Sequence, residues 1–218
     1  MTTFSSLSRR DLLAGAAAAG ALVLAPSLSV AAGPPKIPMS ELLAPDALPD
    51  VWIGKADAPI TIIEYASMTC SHCAAFHEQT YPKLVKDYID TGKARFVLRE
   101  FPLDALAAAA FMIARYAGDK RTAVVDLLFS QQRNWAFVEK PLDALERMVK
   151  QAGVSSETFQ KCIADKELYQ KVLEVRKRAA EKFGVDSTPT FFINGDRKNG
   201  EIAPGDLDKL LAPYLEKK

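Results

Sequence analysis

The sequence is most tightly constrained where its hydrophobic period changes, at residue 70. Ile60-Thr61-Ile62-Ile63-Glu64-Tyr65-Ala66 is apolar on both alternating faces, the pattern of a strand buried within a sheet and paired in parallel. Cys70-Ser71-His72-Cys73 follows, and from there Phe76, Tyr81, Leu84, Val85, Tyr88 and Ile89 fall near helical spacing until Gly92 closes the segment. Pro82 inside that helix predicts a kink. A C-x-x-C is thereby set where a buried strand gives way to a helix.

Around this unit the pattern is that of an α/β protein. Residues 94 to 101 read as a second strand, and about 80 residues of helical pattern follow, with breaks near Gly118, 134–141, Gly153 and Asp165. The last long helix of that block runs from about Glu167 to Phe183. Strand character returns at Thr190-Phe191-Phe192-Ile193, turned by Asn194-Gly195, and a final helix runs from about Pro204 to Leu215. The order predicts an α/β core, residues 51–102 and 184–218, with an all-helical insertion over 103–183. Residues 33–50, with five prolines and no sustained heptad, read as a linker and edge segment.

The first 32 residues read as an export signal. Ser8-Arg9-Arg10-Asp11-Leu12-Leu13 precedes an uncharged run rich in Ala and Gly that ends in small residues near Ala31 and Ala32. The paired arginines suggest a twin-arginine signal, with the general secretory route as the alternative and an uncleaved anchor as the rival to both. Either route places the mature chain outside the bacterial cytoplasm, in the periplasm. Removing residues 1–32 takes away Arg9, Arg10 and Asp11 and leaves 26 basic and 26 acidic residues. A neutral chain has no field to steer nucleic acid.

In an oxidising compartment the three cysteines carry the chemistry. The first turn of a helix presents unpaired N–H groups and the positive end of its dipole, which favours a thiolate at Cys70. Cys70 is then the exposed nucleophile and Cys73 the resolving thiol. The imidazole of His72, between the sulfurs, can donate to or attract the thiolate. Glu64, on a strand apolar on both faces, is expected to be buried beneath the helix start and to pass protons to Cys73; the alternative is an edge-strand glutamate facing solvent. A static structural disulfide is a further alternative. Cys70, Cys73 and His77 also read as C-x2-C-x3-H, but a structural zinc wants a fourth ligand, and only Cys162 and His72 remain. Cys162 reads as an inert core cysteine.

Together, Cys70-Ser71-His72-Cys73 after Ile62-Ile63-Glu64-Tyr65, the helical block, and Thr188-Pro189-Thr190-Phe191-Phe192-Ile193-Asn194-Gly195 resemble the DsbA family of thioredoxin-fold thiol:disulfide oxidoreductases, over roughly residues 50–215. The resemblance implies a thioredoxin-like fold and a cis Pro189 against the C-x-x-C. It also implies that the Thr188 backbone pairs with a bound substrate strand, and that an acid at Glu64 matches the family. It further implies donation of the Cys70-Cys73 disulfide to newly exported, cysteine-containing proteins, reoxidation by a DsbB-like membrane quinone oxidoreductase, and a monomer with no metal and no diffusible cofactor. Ser71 stands where the best-known oxidases have Pro, which leaves the potential and the direction open. A reductase or isomerase is the enzymatic alternative, although residues 33–50 are too short for an isomerase's dimerisation domain. A copper- or zinc-binding module is the alternative of another class.

Overall fold

The computed structural model describes residues 36–216, so the export signal expected over residues 1–32 lies outside the described residues. Strand β1 (Ile60–Ala66) is buried along its whole length. It sits inside a four-stranded sheet of order β2-β1-β3-β4. β2 (Ala94–Glu100) runs parallel to β1, with Ile60 opposite Ala94 and Ala66 opposite Glu100. On the other side β3 (Thr190–Ile193) runs antiparallel, with Glu64 opposite Phe191, and β4 (Asp196–Asn199) folds back on β3 as a hairpin. A strand buried on both faces of its sheet needs apolar residues on both, which is the composition of β1.

The hairpin turn shows why its two residues are Asn and Gly. Asn194 and Gly195 have φ of 47° and 91°, the left-handed pair that matches the twist of a two-residue hairpin. The Asn194 carboxamide oxygen accepts from the Thr61 amide at 2.7 Å and its nitrogen donates to the Pro59 carbonyl at 3.0 Å. A Cβ on Gly195 would run into the Ile37 carbonyl, because the Ile37 amide donates to the Gly195 carbonyl at 3.0 Å.

That contact ties the segment before β1 to the sheet. Over the described residues 36–50 the chain is not a linker. It forms a short helix, α1 (Met39–Leu42), and buries Leu42 and Leu48 against the core. Arg99 of β2 holds it there: its guanidinium donates to both carboxylate oxygens of Asp50, at 2.8 and 2.7 Å, and to the Leu42 carbonyl at 2.8 Å. Arg178 donates to the carbonyls of Glu41, Ala44 and Pro45. Further on, Ile53 bridges Phe96 antiparallel and covers the outer edge of β2. Proline content disguised a strap whose partners lie far along the chain.

The helix after the cysteines is continuous but uneven. α2 (Ser71–Ala75) opens into a π turn (Phe76–Thr80), tightens to α3 (Tyr81–Leu84) and widens again at Val85–Ile89. Pro82, which has no N–H to give, stands in the first turn of α3, and the helix accommodates it by wide turns on either side.

Between β2 and β3 lie α4 (Ala105–Tyr116), α5 (Arg121–Ser130), α6 (Gln132–Trp135), α7 (Pro141–Gln151), α8 (Ser156–Ile163) and α9 (Lys166–Phe183). Their starts are capped by side chains that satisfy free amides: Asp104 for α4, Ser155 for α8 and Asp165 for α9. Phe111, Phe129, Trp135 and Phe159 are fully buried and join the apolar residues of the sheet in one core. α9 packs on β2, α5 on the π turn at Phe76–Thr80, and α10 (Leu207–Leu215) on β1. Cys162 is wholly buried in α8, where burial and then the charge of Asp165 push its thiol up to about 12. Among the described residues no helix is long and apolar enough to cross a membrane.

Candidate active site

The loop from β1 to α2 is held from three directions. The Thr69 hydroxyl donates to Asp104 at 2.7 Å, and the Leu103 amide donates to the Ser67 hydroxyl at 3.2 Å. From α6 the buried Gln132 amide donates to the carbonyls of Met68 and Cys70 at 2.9 and 3.0 Å. Cys70, fixed in this way, takes an extended backbone and serves as the N-cap of α2. Its thiol lies 3.3 Å from the Thr188 carbonyl, to which it donates when protonated, and the Thr188–Pro189 peptide bond is cis. The fold therefore brings Cys70, Cys73, Thr188 and Pro189 to one place across 118 residues of sequence.

The two sulfurs are electrostatically unlike. The Cys73 thiol donates to the Cys70 sulfur and does most to hold the Cys70 pKa down, to about 5. Burial opposes this, while the backbone amides of Cys73 and His72 add to it. Those two amides are the free donors of the helix start. Cys73 moves the other way: burial pushes its thiol well above the ordinary value, reinforced by its hydrogen bond to Cys70 and by the charge of Glu64. At neutral pH one sulfur is a thiolate and the other a thiol.

Glu64 is fully buried on β1, which decides between the two positions considered for it. Its carboxylate lies 2.8 Å from His77 Nε2, and the His77 side chain is itself only 3% exposed. The imidazole stacks on Phe129 with ring centroids 4.2 Å apart. His77 thus faces Glu64, and among the described residues no three His, Cys, Asp or Glu side chains gather as a metal would require. His72 departs from expectation. Its ring is 71% exposed and lies 3.2 Å from Glu201, so the backbone amide of His72, and not its imidazole, serves the Cys70 sulfur. The ring of an N-terminal helix residue points outward here because the helix start faces the sulfur with its backbone.

A family model described as thioredoxin matches residues 46–212. Alpha-DsbA1 from Wolbachia pipientis is 31% identical in sequence and superimposes with a TM-score of 0.74, over 82% of this chain and 96% of that one. The chain belongs to the DsbA family. A putative protein-disulfide oxidoreductase from Rickettsia bellii is 32% identical over 148 residues, 67% of this chain but only 57% of the Rickettsia protein. The chain thus spans a little over half the length of that relative. A probable disulfide bond formation protein D from Bacillus anthracis is 28% identical over 174 residues, 76% of this chain and 78% of that protein. The thioredoxin fold with interposed helices expected from the sequence is the fold of this DsbA family member.

Two residues at the site were not foreseen in these positions. His77 had entered the sequence analysis only as a possible metal ligand, although its spacing of four from Cys73 on a buried helix face was a usable signal. Gln132 gave none, since a lone glutamine in a helical block is ordinarily solvated.

Proposed function

We propose that the chain is a periplasmic thiol:disulfide oxidoreductase that donates its Cys70–Cys73 disulfide to newly exported proteins. The observation that carries this is the inequality of the two sulfurs, Cys70 at about 5 and Cys73 well above its ordinary value. A sulfur that is stable as thiolate is a good leaving group, and stabilising it favours the reduced state, which makes the disulfide a better oxidant.

A substrate thiolate attacks Cys70 Sγ; the Cys70–Cys73 bond breaks and Cys73 leaves with the electron pair. A second substrate thiolate then attacks the substrate sulfur of the mixed disulfide. The substrate disulfide forms, Cys70 departs as thiolate, and two electrons have moved to the enzyme. Thr188, whose carbonyl meets the Cys70 sulfur, is placed to pair with the extended backbone of the substrate beside Pro189. Reoxidation falls to a DsbB-like quinone-linked membrane protein. Export uses a twin-arginine-like or general secretory signal, the protein acts as a monomer, and no diffusible cofactor takes part.

The test is trapping. Cys73→Ala should accumulate a mixed disulfide between Cys70 and exported proteins in periplasmic extracts, and Cys70→Ser should accumulate none. Equal labelling by both variants would overturn the assignment.

A further inference from the structure

Cys73 must gain a proton when it leaves as a thiolate and lose one when it attacks Cys70 during reoxidation, yet it has no exposed surface. Glu64 bears on it electrostatically but is also without solvent exposure, so it can hold a proton without trading it with water. Its partner is also buried but borders a groove that reaches the surface. His77 Nε2 lies 2.8 Å from Glu64, while His77 Nδ1 and Glu64 Oε1 are buried with no hydrogen-bond partner. His77 also lines a groove of about 630 Å³ with Tyr81, Lys86, Asp126 and Ser130, and none of the residues lining it is Cys70, Thr188 or Pro189.

We propose that Glu64, His77 and this groove form the proton route of Cys73, entering from a side of the molecule that bound substrate leaves open. The route rests on the exchange chemistry proposed above. When Cys73 leaves as thiolate, water in the groove protonates His77 Nδ1, Nε2 releases its proton to Glu64, and Glu64 gives its proton to Cys73 Sγ. Reoxidation runs the steps backwards: Cys73 returns the proton to Glu64, Glu64 to Nε2, and Nδ1 to water. The second half-cycle restores the imidazole tautomer that the first consumed. An imidazole suits the task because it accepts at one nitrogen while donating from the other. The titratable groups facing it are Glu64 from β1, Tyr81 from its own helix and Asp126 from α5, whose ionisation responds to His77. Phe76, Phe96 and Phe129 supply apolar walls. His77 acts through Glu64 and is a positioning residue.

The test is rapid mixing of the reduced, full mature protein with oxidised glutathione between pH 5 and 9. Capture by Cys70 depends on glutathione concentration; release by Cys73 does not. His77→Gln keeps a donor to Glu64 but cannot relay a proton. It should slow release roughly tenfold or more at pH 7 and flatten its pH profile, with capture unchanged. Release at the wild-type rate and profile would overturn the route alone, whereas failure of the wild-type protein to form a mixed disulfide at Cys70 would overturn the exchange chemistry as well. A second measurement needs no variant: the ring ¹⁵N shifts of His77 in unmodified protein should change between the oxidised and reduced forms. Identical shifts in both forms would also overturn the route.

Discussion

At the scale of the residue, function turns on the difference between two sulfurs three positions apart. Cys70 receives a thiol donor and the free amides of a helix start, while Cys73 receives burial and the negative field of Glu64. Alkylation of the reduced protein by iodoacetamide should therefore titrate at Cys70 with a midpoint near pH 5, with Cys73 unreactive at neutrality. Because the bond from Cys73 is the largest influence on Cys70, Cys73→Ala should move that midpoint upward; an unchanged midpoint would assign the thiolate to the helix start alone. The two cysteines and Glu64 were legible in the sequence because strand and helix patterns fix where such residues stand, whereas Thr188 and Pro189, by pattern only a strand-entry dipeptide, were legible through the family resemblance alone. The orientation of the His72 ring was not, since periodicity says which face a residue occupies but not which of its own atoms meets the sulfur. His77 was visible only as a metal ligand weighed and set aside, and its pairing with Glu64 was not, because the two lie on different elements.

At the scale of the element, β1 and the Asn194-Gly195 hairpin follow directly from composition, and the strap over residues 36–50 does not. The strap is held by Arg99, a guanidinium 3% exposed in its side chain, clamped on Asp50 and within 2.8 Å of the Tyr65 hydroxyl. Removing one partner leaves the other charge without compensation, so Arg99→Ala should cost about 3–5 kcal/mol of stability. Urea unfolding checks this: a midpoint equal to wild type would mean that the strap contributes nothing. Arg99→Lys should recover little, because an ammonium cannot offer the two parallel donors that Asp50 receives. Short-range patterning could not find this clamp, since Asp50 and Arg99 are 49 residues apart. Pro82 shows the converse. Its disturbance of the helix was foreseen, but its form, a π turn on each side, depends on the packing of α5 and the sheet.

At the scale of the whole molecule, the interposed helices serve the site as well as the core. α6 supplies Gln132 to the loop carrying Cys70, α4 supplies its cap Asp104 to Thr69, and α5 supplies Phe129 to the buried imidazole. The loop held in this way carries the sulfur whose ionisation sets the redox balance. A thiolate pKa depressed in the folded, reduced protein stabilises that state fully above the unfolded value, and the contribution falls with pH and is lost below the folded value, about 5 here. Set against the value of about 7 for thioredoxin, the extra ionisation at pH 7 is worth roughly 2 kcal/mol, or roughly 50 mV for a two-electron couple.

The most direct test is therefore the equilibrium redox potential of residues 33–218 in glutathione buffers at pH 7, with Cys70→Ser as the blank. The sulfur asymmetry predicts a potential at least roughly 50 mV above the value near −270 mV of thioredoxin. A potential at or below thioredoxin's would contradict it and would make the protein a reductant.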